Sequence, residues 1–179
     1  MRDIWETNWL LSLLGGTISF VMSYQVFVSY TTSQLHLAYR IRALFKEFTN
    51  VGVFIAEHDI SAGEELPDSI IQAIRKSDSL VVIWDDSSKK SDWVVPEISA
   101  AKAHDKYIIP LILDKKTKLP RFWGELKCLE ATGDSCDDAL QELKKIILEK
   151  AQQKGQSEFF GFAALIGLAC LILARKEAS

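Results

Sequence analysis

The chain has 179 residues, 21 Lys/Arg against 24 Asp/Glu for a net charge of −3, and 48% hydrophobic residues. That length holds one domain of ordinary size plus appendages, and the near-even charge, with no dense Lys/Arg cluster, argues against nucleic acid as a partner. Cys128, Cys136 and Cys170 form no C-x-x-C motif, and His36, His58 and His104 are scattered. This pattern argues against a metal site and for a reduced, cytosolic setting.

Residues 1–23 form an apolar N-terminal extension. Residues 9–22 are apolar but interrupted by Gly15-Gly16 and preceded by Asp3 and Glu6. They lack both the positive n-region of a secretory signal and the length of a membrane span. The open readings are an extra strand or helix packed on the domain, an interfacial membrane segment, or a true start at Met22.

The main domain is expected over residues 24–150, where strand and helix patterns alternate. Residues 25–30 are β-rich, and Leu37, Ile41, Leu44, Phe45 and Phe48 then recur at helical spacing. A second strand is expected at 51–55 and a polar loop at 56–66. Pro67 opens a helix that turns Ile70, Ile71 and Ile74 inward. The third strand is read at 80–84 and the fourth at 107–113, where Pro110 implies a bulge or an edge position. A short fifth strand at 127–131 precedes a helix capped by Asp134 and Ser135, with Leu140, Leu143 and Ile147 on one face.

Beyond the domain, residues 151–158 are polar, contain Gly155 and read as a linker. Residues 159–174 are 16 positions without a charged or strongly polar group, followed by Arg175-Lys176 and a tail at 175–179. As a helix this run reaches about 24 Å, against ~30 Å for a hydrocarbon core. With no polar face it reads as a C-terminal transmembrane helix in the lipid bilayer. Lys144, Lys145, Lys150 and Lys154 on its N-terminal side place the main domain in the cytoplasm as a single-pass membrane protein. Ala163, Gly167, Cys170 and Ala174 make a small-residue stripe that lets two such helices approach closely.

Repeated strand–helix units with apolar strands predict an α/β fold: a flavodoxin-like five-stranded parallel sheet, order 2-1-3-4-5, with helices on both faces. Ligands of such sheets bind beyond the strand C-termini. In the stretch 91–97 (SDWVVPE), proline fits the start of a helix, so regular helix is expected only from about Pro96. Glu97 then lies in the first turn, where the helix dipole favours a carboxylate, with Trp93 as a flanking wall. A fixed anion beside an aromatic wall suits a ligand that develops positive charge. The alternative is a capped helix with a buried Trp and a solvated Glu. Through the dipole alone Glu97 contributes roughly 0.3–1 kcal/mol, so Glu97→Ala is expected to fold. Asp85 and Asp86 read as loop and capping residues.

With these motifs in place the chain resembles a TIR (Toll/interleukin-1 receptor) domain, of the bacterial and NAD⁺-cleaving type. Residues 27–30 (FVSY) match that family's opening strand, and 59–66 (DISAGEEL) its BB loop. Residues 91–98 (SDWVVPEI) resemble its S-x-W-x-x-x-E signature, and 107–111 (YIIPL) its fourth strand. The resemblance implies a membrane-anchored NAD⁺ glycohydrolase, with hydrolysis or cyclisation both open, acting in immunity against phage. It implies that Glu97 is catalytic and that Trp93, Phe54, Tyr30, Thr31 and Trp84 bind the substrate. It further implies that Asp59, Gly63 and Glu64 belong to an assembly loop and that TIR domains self-associate. No cofactor is implied, because NAD⁺ is the substrate. The chain departs from many active members at Thr31-Thr32, where they carry a basic residue. The competing function is a non-catalytic adaptor acting by TIR–TIR association.

Overall fold

The computed structural model describes residues 23–55, 68–114, 116–117, 119–120, 123 and 126–177, with residue 162 and residues 166–177 described by backbone alone. Its strands are β1 (Tyr24–Ser29), β2 (Val51–Ile55), β3 (Ser79–Trp84), β4 (Tyr107–Ile112) and β5 (Leu129–Glu130). The helices are α1 (Leu35–Leu44), α2 (Asp68–Lys76), α3 (Val94–Ala103) and α4 (Cys136–Glu177). The sheet is parallel throughout in the order β2-β1-β3-β4-β5, as the alternating pattern predicts.

Side chains alternate across a strand, so each strand feeds two cores. Val26 and Val28 of β1, with Val81 and Ile83 of β3, pack on the face covered by Ala38 and Ile41 of α1 and Leu140, Leu143 and Ile147 of α4. Phe27, Leu80, Val82 and Trp84 turn to the other face, against Ile70 and Ile74 of α2 and Val94, Ile98 and Ala101 of α3. At the sheet's edge, Pro110 pairs with Val82 in an unbroken β3–β4 register. It is not at a bulge. Because β5 pairs with β4 only at Leu111 and Ile112, Pro110 lies where β4 is itself an edge, which tolerates the missing N–H.

Three boundaries differ from the sequence expectation. Helix α3 begins at Val94, so Pro96 lies inside its first turn, where the N–H it lacks has no intrahelical partner anyway. Ahead of α4 the turn is built by Thr132 and Ser135, with Ser135 Oγ accepting from Thr132 N at 3.2 Å, rather than by Asp134. Residues 151–158 are not a linker but part of α4. Polarity misled there: Lys, Gln and Glu propagate a helix well, and Gly155 costs only about 1 kcal/mol. Ala151 is buried and Lys154 is anchored on the domain, which holds the helix in place.

Helix α4 starts at the C-terminal rim of the sheet and runs back towards the strand N-termini. There Lys154 Nζ lies 2.8 Å from Asp78 Oδ2 and 3.4 Å from Ser23 O. Asp78 Oδ2 also accepts from Gln25 N at 2.7 Å. Among the described residues no helix is long and apolar enough to cross a membrane. Much of the expected span at 159–174 falls where only the backbone is described. The expected assembly-loop residues Asp59, Gly63 and Glu64 lie outside the described residues, as do residues 1–22 of the N-terminal extension.

Candidate functional site

The C-terminal rim of β1 and β3 carries two hydroxyl-rich segments. After β1 come Tyr30, Thr31, Thr32 and Ser33; after β3 come Asp85, Asp86, Ser87 and Ser88. The two are joined by Thr31 Oγ1, which lies 2.9 Å from Ser33 Oγ and 3.0 Å from Ser87 Oγ. Beneath them Gln34 accepts from Thr31 N at 2.8 Å and donates to Ser88 Oγ at 3.1 Å. Ser88 Oγ in turn donates to the Ile83 carbonyl at 3.0 Å.

Asp85 organises this turn as a cap, with Oδ1 accepting from Ser87 N at 2.8 Å and Ser88 N at 3.1 Å. Burial opposes ionisation of Asp85, but hydrogen bonds from Ser87, Gln34 and Ser88 outweigh it and hold the carboxyl below its ordinary range. Asp86 is an exposed partner of Lys89 at 2.8 Å. Both acids therefore do the loop and capping work their positions suggested.

Between these segments and the start of α3 lies a cleft of ≈ 280 Å³, lined by Tyr30, Thr31, Thr32, Ser33, Ser87, Ser91 and Trp93. Trp93 is the N-terminal flanking residue of α3, and Ser91 Oγ accepts from Trp93 N and Val94 N, each at 3.3 Å. The walls offer neutral hydroxyls and two aromatic surfaces; none of the seven lining residues is cationic. The cleft thus suits a ligand bearing hydroxyls or amides and a flat ring. Its volume lies just under the range of about 300–1,000 Å³ usual for small-ligand pockets, so it takes part of a dinucleotide rather than all of one.

Glu97 sits one helical turn beyond Trp93, its N–H bonded to the Trp93 carbonyl at 3.0 Å. Its side chain is 0% exposed and is not part of the cleft wall. The alternative reading, a solvated first-turn Glu, is therefore corrected, and the carboxyl does not stand open beside Trp93 either: α3 packs on β1 and β3 and carries Glu97 inward. Burial pushes its carboxyl up to about 8, with the Ser29 hydroxyl acting in the opposite, lowering direction. Ser29 ends β1 immediately before Tyr30, so Glu97 lies behind the cleft, reached through one residue of β1 and one turn of α3.

Of the residues expected at the site, Tyr30, Thr31 and Trp93 are brought together. Phe54 is half-buried on β2, its ring 5.4 Å from that of Phe27. Trp84 is fully buried in the core, its ring 4.8 Å from that of Trp123. Neither lines the cleft. Ser29, Ser33, Gln34, Ser87, Ser88 and Ser91 were missed. The available signal was hydroxyl residues clustered directly after two adjacent parallel strands.

Residues 26–147 match the model of the TIR domain family, and the chain belongs to that family. No curated protein matches the chain. Among solved structures it is similar to the TIR domain of the Toll-related receptor TRR-2 from the lower metazoan Hydra magnipapillata. That match has 18% identity and a TM-score of 0.53, covering 70% of this chain and 98% of that one. It is also similar to a prokaryotic SEFIR domain, with 17% identity and a TM-score of 0.52, covering 70% of this chain and 92% of that one. At such identities the likeness shows a shared fold.

Proposed function

We propose that this TIR domain cleaves NAD⁺ at the bond between ribose C1′ and nicotinamide, with Glu97 as the catalytic group. The observation that carries the reading is a carboxyl fully buried directly behind a cleft walled by Tyr30, Thr31 and Trp93. The cleft takes the nicotinamide riboside end, with an aromatic wall for the ring and hydroxyls for the ribose. As the bond breaks, its electron pair leaves with nicotinamide and positive charge develops on the ribose. An ionised Glu97 held against the ribose stabilises that charge, as a preorganised anion does where positive charge develops. Water then adds at C1′ and releases a proton; an adenine nitrogen attacking instead gives a cyclic product.

The closed arrangement keeps Glu97 protonated and out of the cleft. Turnover therefore requires the β1–α3 seam to part, so that the carboxyl meets solvent and ligand and ionises. Association with neighbouring TIR domains through residues 59–66 is the proposed trigger, and the effector role is immune defence against phage. Tethering through residues 159–174, with the domain in the cytoplasm, concentrates the copies. The uncharged 16-residue run ending at Arg175-Lys176 supports that tether. Purified full-length protein incubated with NAD⁺ should release nicotinamide together with ADP-ribose or its cyclic form, resolved by chromatography. Glu97→Gln should release neither.

The competing reading, a non-catalytic adaptor, is favoured by one observation: Glu97 is sealed from solvent. Intact NAD⁺ after incubation with assembled, membrane-bound protein would select it.

A further inference from the structure

Three hydroxyls of the cleft are ordered in one direction by Asp85. Ser87 Oγ donates to Asp85 Oδ1 at 2.5 Å. That carboxyl is held below its ordinary range, so at neutral pH it is ionised and only accepts. A hydroxyl carries one proton, and that of Ser87 is thereby spent. The 3.0 Å contact between Ser87 Oγ and Thr31 Oγ1 then requires Thr31 to donate. With the Thr31 proton spent in turn, its 2.9 Å contact with Ser33 Oγ requires Ser33 to donate. Ser33, Thr31 and Ser87 all line the cleft, so this chain of hydroxyls offers a ligand lone pairs and no protons. Buried Gln34, holding Thr31 N at 2.8 Å and Ser88 Oγ at 3.1 Å, keeps the two turns at this spacing.

Ser91, just ahead of α3, has the opposite polarity. Its Oγ accepts from Trp93 N and Val94 N, each at 3.3 Å. Those bonds occupy both lone pairs and leave the Ser91 proton for a ligand. The cleft thus sets acceptors on the side of β1 and β3 against a donor on the side of α3, with Tyr30 and Trp93 as its aromatic surfaces. A carboxamide on a flat ring carries the complementary groups, an NH₂ that donates and a carbonyl that accepts.

We propose that Ser33, Thr31 and Ser87, ordered by Asp85, together with Ser91 opposite, make this cleft select a ring carboxamide over a ring carboxylate. NAD⁺ is then preferred to its nicotinic acid analogue. The inference rests on the reading of the cleft as the site of the nicotinamide end, and it adds which atoms choose the base. A carboxylate can take the Ser91 proton with one oxygen. Its other oxygen meets lone pairs in place of a donor, close to the Asp85 charge, so a hydrogen bond is lost and a like charge is added. Specificity built in this way comes from what the wrong ligand cannot satisfy as much as from what the right one gains.

The test compares kcat/KM of assembled full-length protein for NAD⁺ and for nicotinic acid adenine dinucleotide, in wild type and in Ser87→Ala. Following the preference as a ratio across variants cancels the intrinsic difference between the two leaving groups. Wild type should prefer NAD⁺ by at least about tenfold, the worth of one hydrogen bond and an avoided like charge. Ser87→Ala deprives the Thr31 proton of its acceptor and turns it towards the ligand, so it should reduce that preference severalfold. Asp85→Asn keeps an oxygen for the Ser87 and Ser88 N–H groups while removing the charge, and should reduce it too, which covers misfolding of either variant. NAD⁺ cleavage with a preference near one, or with the wild-type preference kept in both variants, would overturn the inference and leave the cleavage reading intact. Should wild type cleave neither substrate, the cleavage reading falls, and calorimetric dissociation constants of the same two dinucleotides decide the selectivity. Tighter binding of the amide that Ser87→Ala abolishes supports it, and equal or absent binding overturns it.

Discussion

Glu97 shows how a correct position in sequence can carry a wrong environment. Its place in the first turn of α3 was legible from Pro96, but its burial was not, because nothing local says which way a first-turn side chain points. The raised pKa makes the consequence measurable. The folded state holds a proton up to about pH 8, whereas the ordinary value for the group is 4.5. Stability from this group is therefore complete below about pH 4.5 and lost as pH rises through 8. Glu97→Gln should flatten the thermal-melt profile between pH 5 and 8 and exceed wild type above pH 8 by on the order of a few kcal/mol. A wild-type profile in that mutant would contradict the burial. Glu97→Ala is the poorer probe, since it leaves a cavity that the dipole argument ignored. The two tryptophans separate in the same way. Trp84→Ala removes a ring packed on Trp123 and should lower stability by about 3–5 kcal/mol in denaturant titrations. Trp93→Ala, at the half-buried cleft wall, should cost much less while weakening ligand binding. Trp84 was read as a ligand contact because it ends a strand at the rim, but on β3 it shares the parity of Leu80 and Val82 and turns into the core.

At the scale of elements, strands were legible because β-branched runs bounded by polar turns leave little choice, and β2 was placed to the residue. Helix ends were less so. The end of the last helix was misplaced because a polar stretch reads as a linker whenever the tertiary anchor that keeps it helical is out of sight. That anchor is Asp78, which joins α4 through Lys154 to the backbone N–H of Gln25 at the foot of β1. Lys154→Ala should cost about 1 kcal/mol or less, as a partly screened ion pair. Asp78→Ala should cost more, about 1–3 kcal/mol, because it also strands a backbone donor. A double-mutant cycle on these two positions, followed by hydrogen exchange over residues 150–160, checks the assignment. Equal losses in both single mutants with no coupling would mean that α4 is held otherwise.

For the whole molecule, a parallel sheet covered on both faces followed from alternation, since parallel strands need crossover helices, and the order 2-1-3-4-5 was expected as a common arrangement of five such strands. The cleft could be placed on the C-terminal rim for the same reason, but its hydroxyl lining depends on how two turns meet across β1 and β3 and so was invisible in either turn alone. The molecule is polarised: the cleft lies at one end of the sheet, while α4 passes Lys154 towards residues 159–174 at the other. The most direct measurement is the rate of nicotinamide release from NAD⁺ by assembled full-length protein between pH 6 and 9, corrected for the enzyme-free reaction. The rate should rise with pH as Glu97 ionises, with its inflection at or below about 8, and Glu97→Gln should show no release across the range. Release by Glu97→Gln at the wild-type rate would contradict the account.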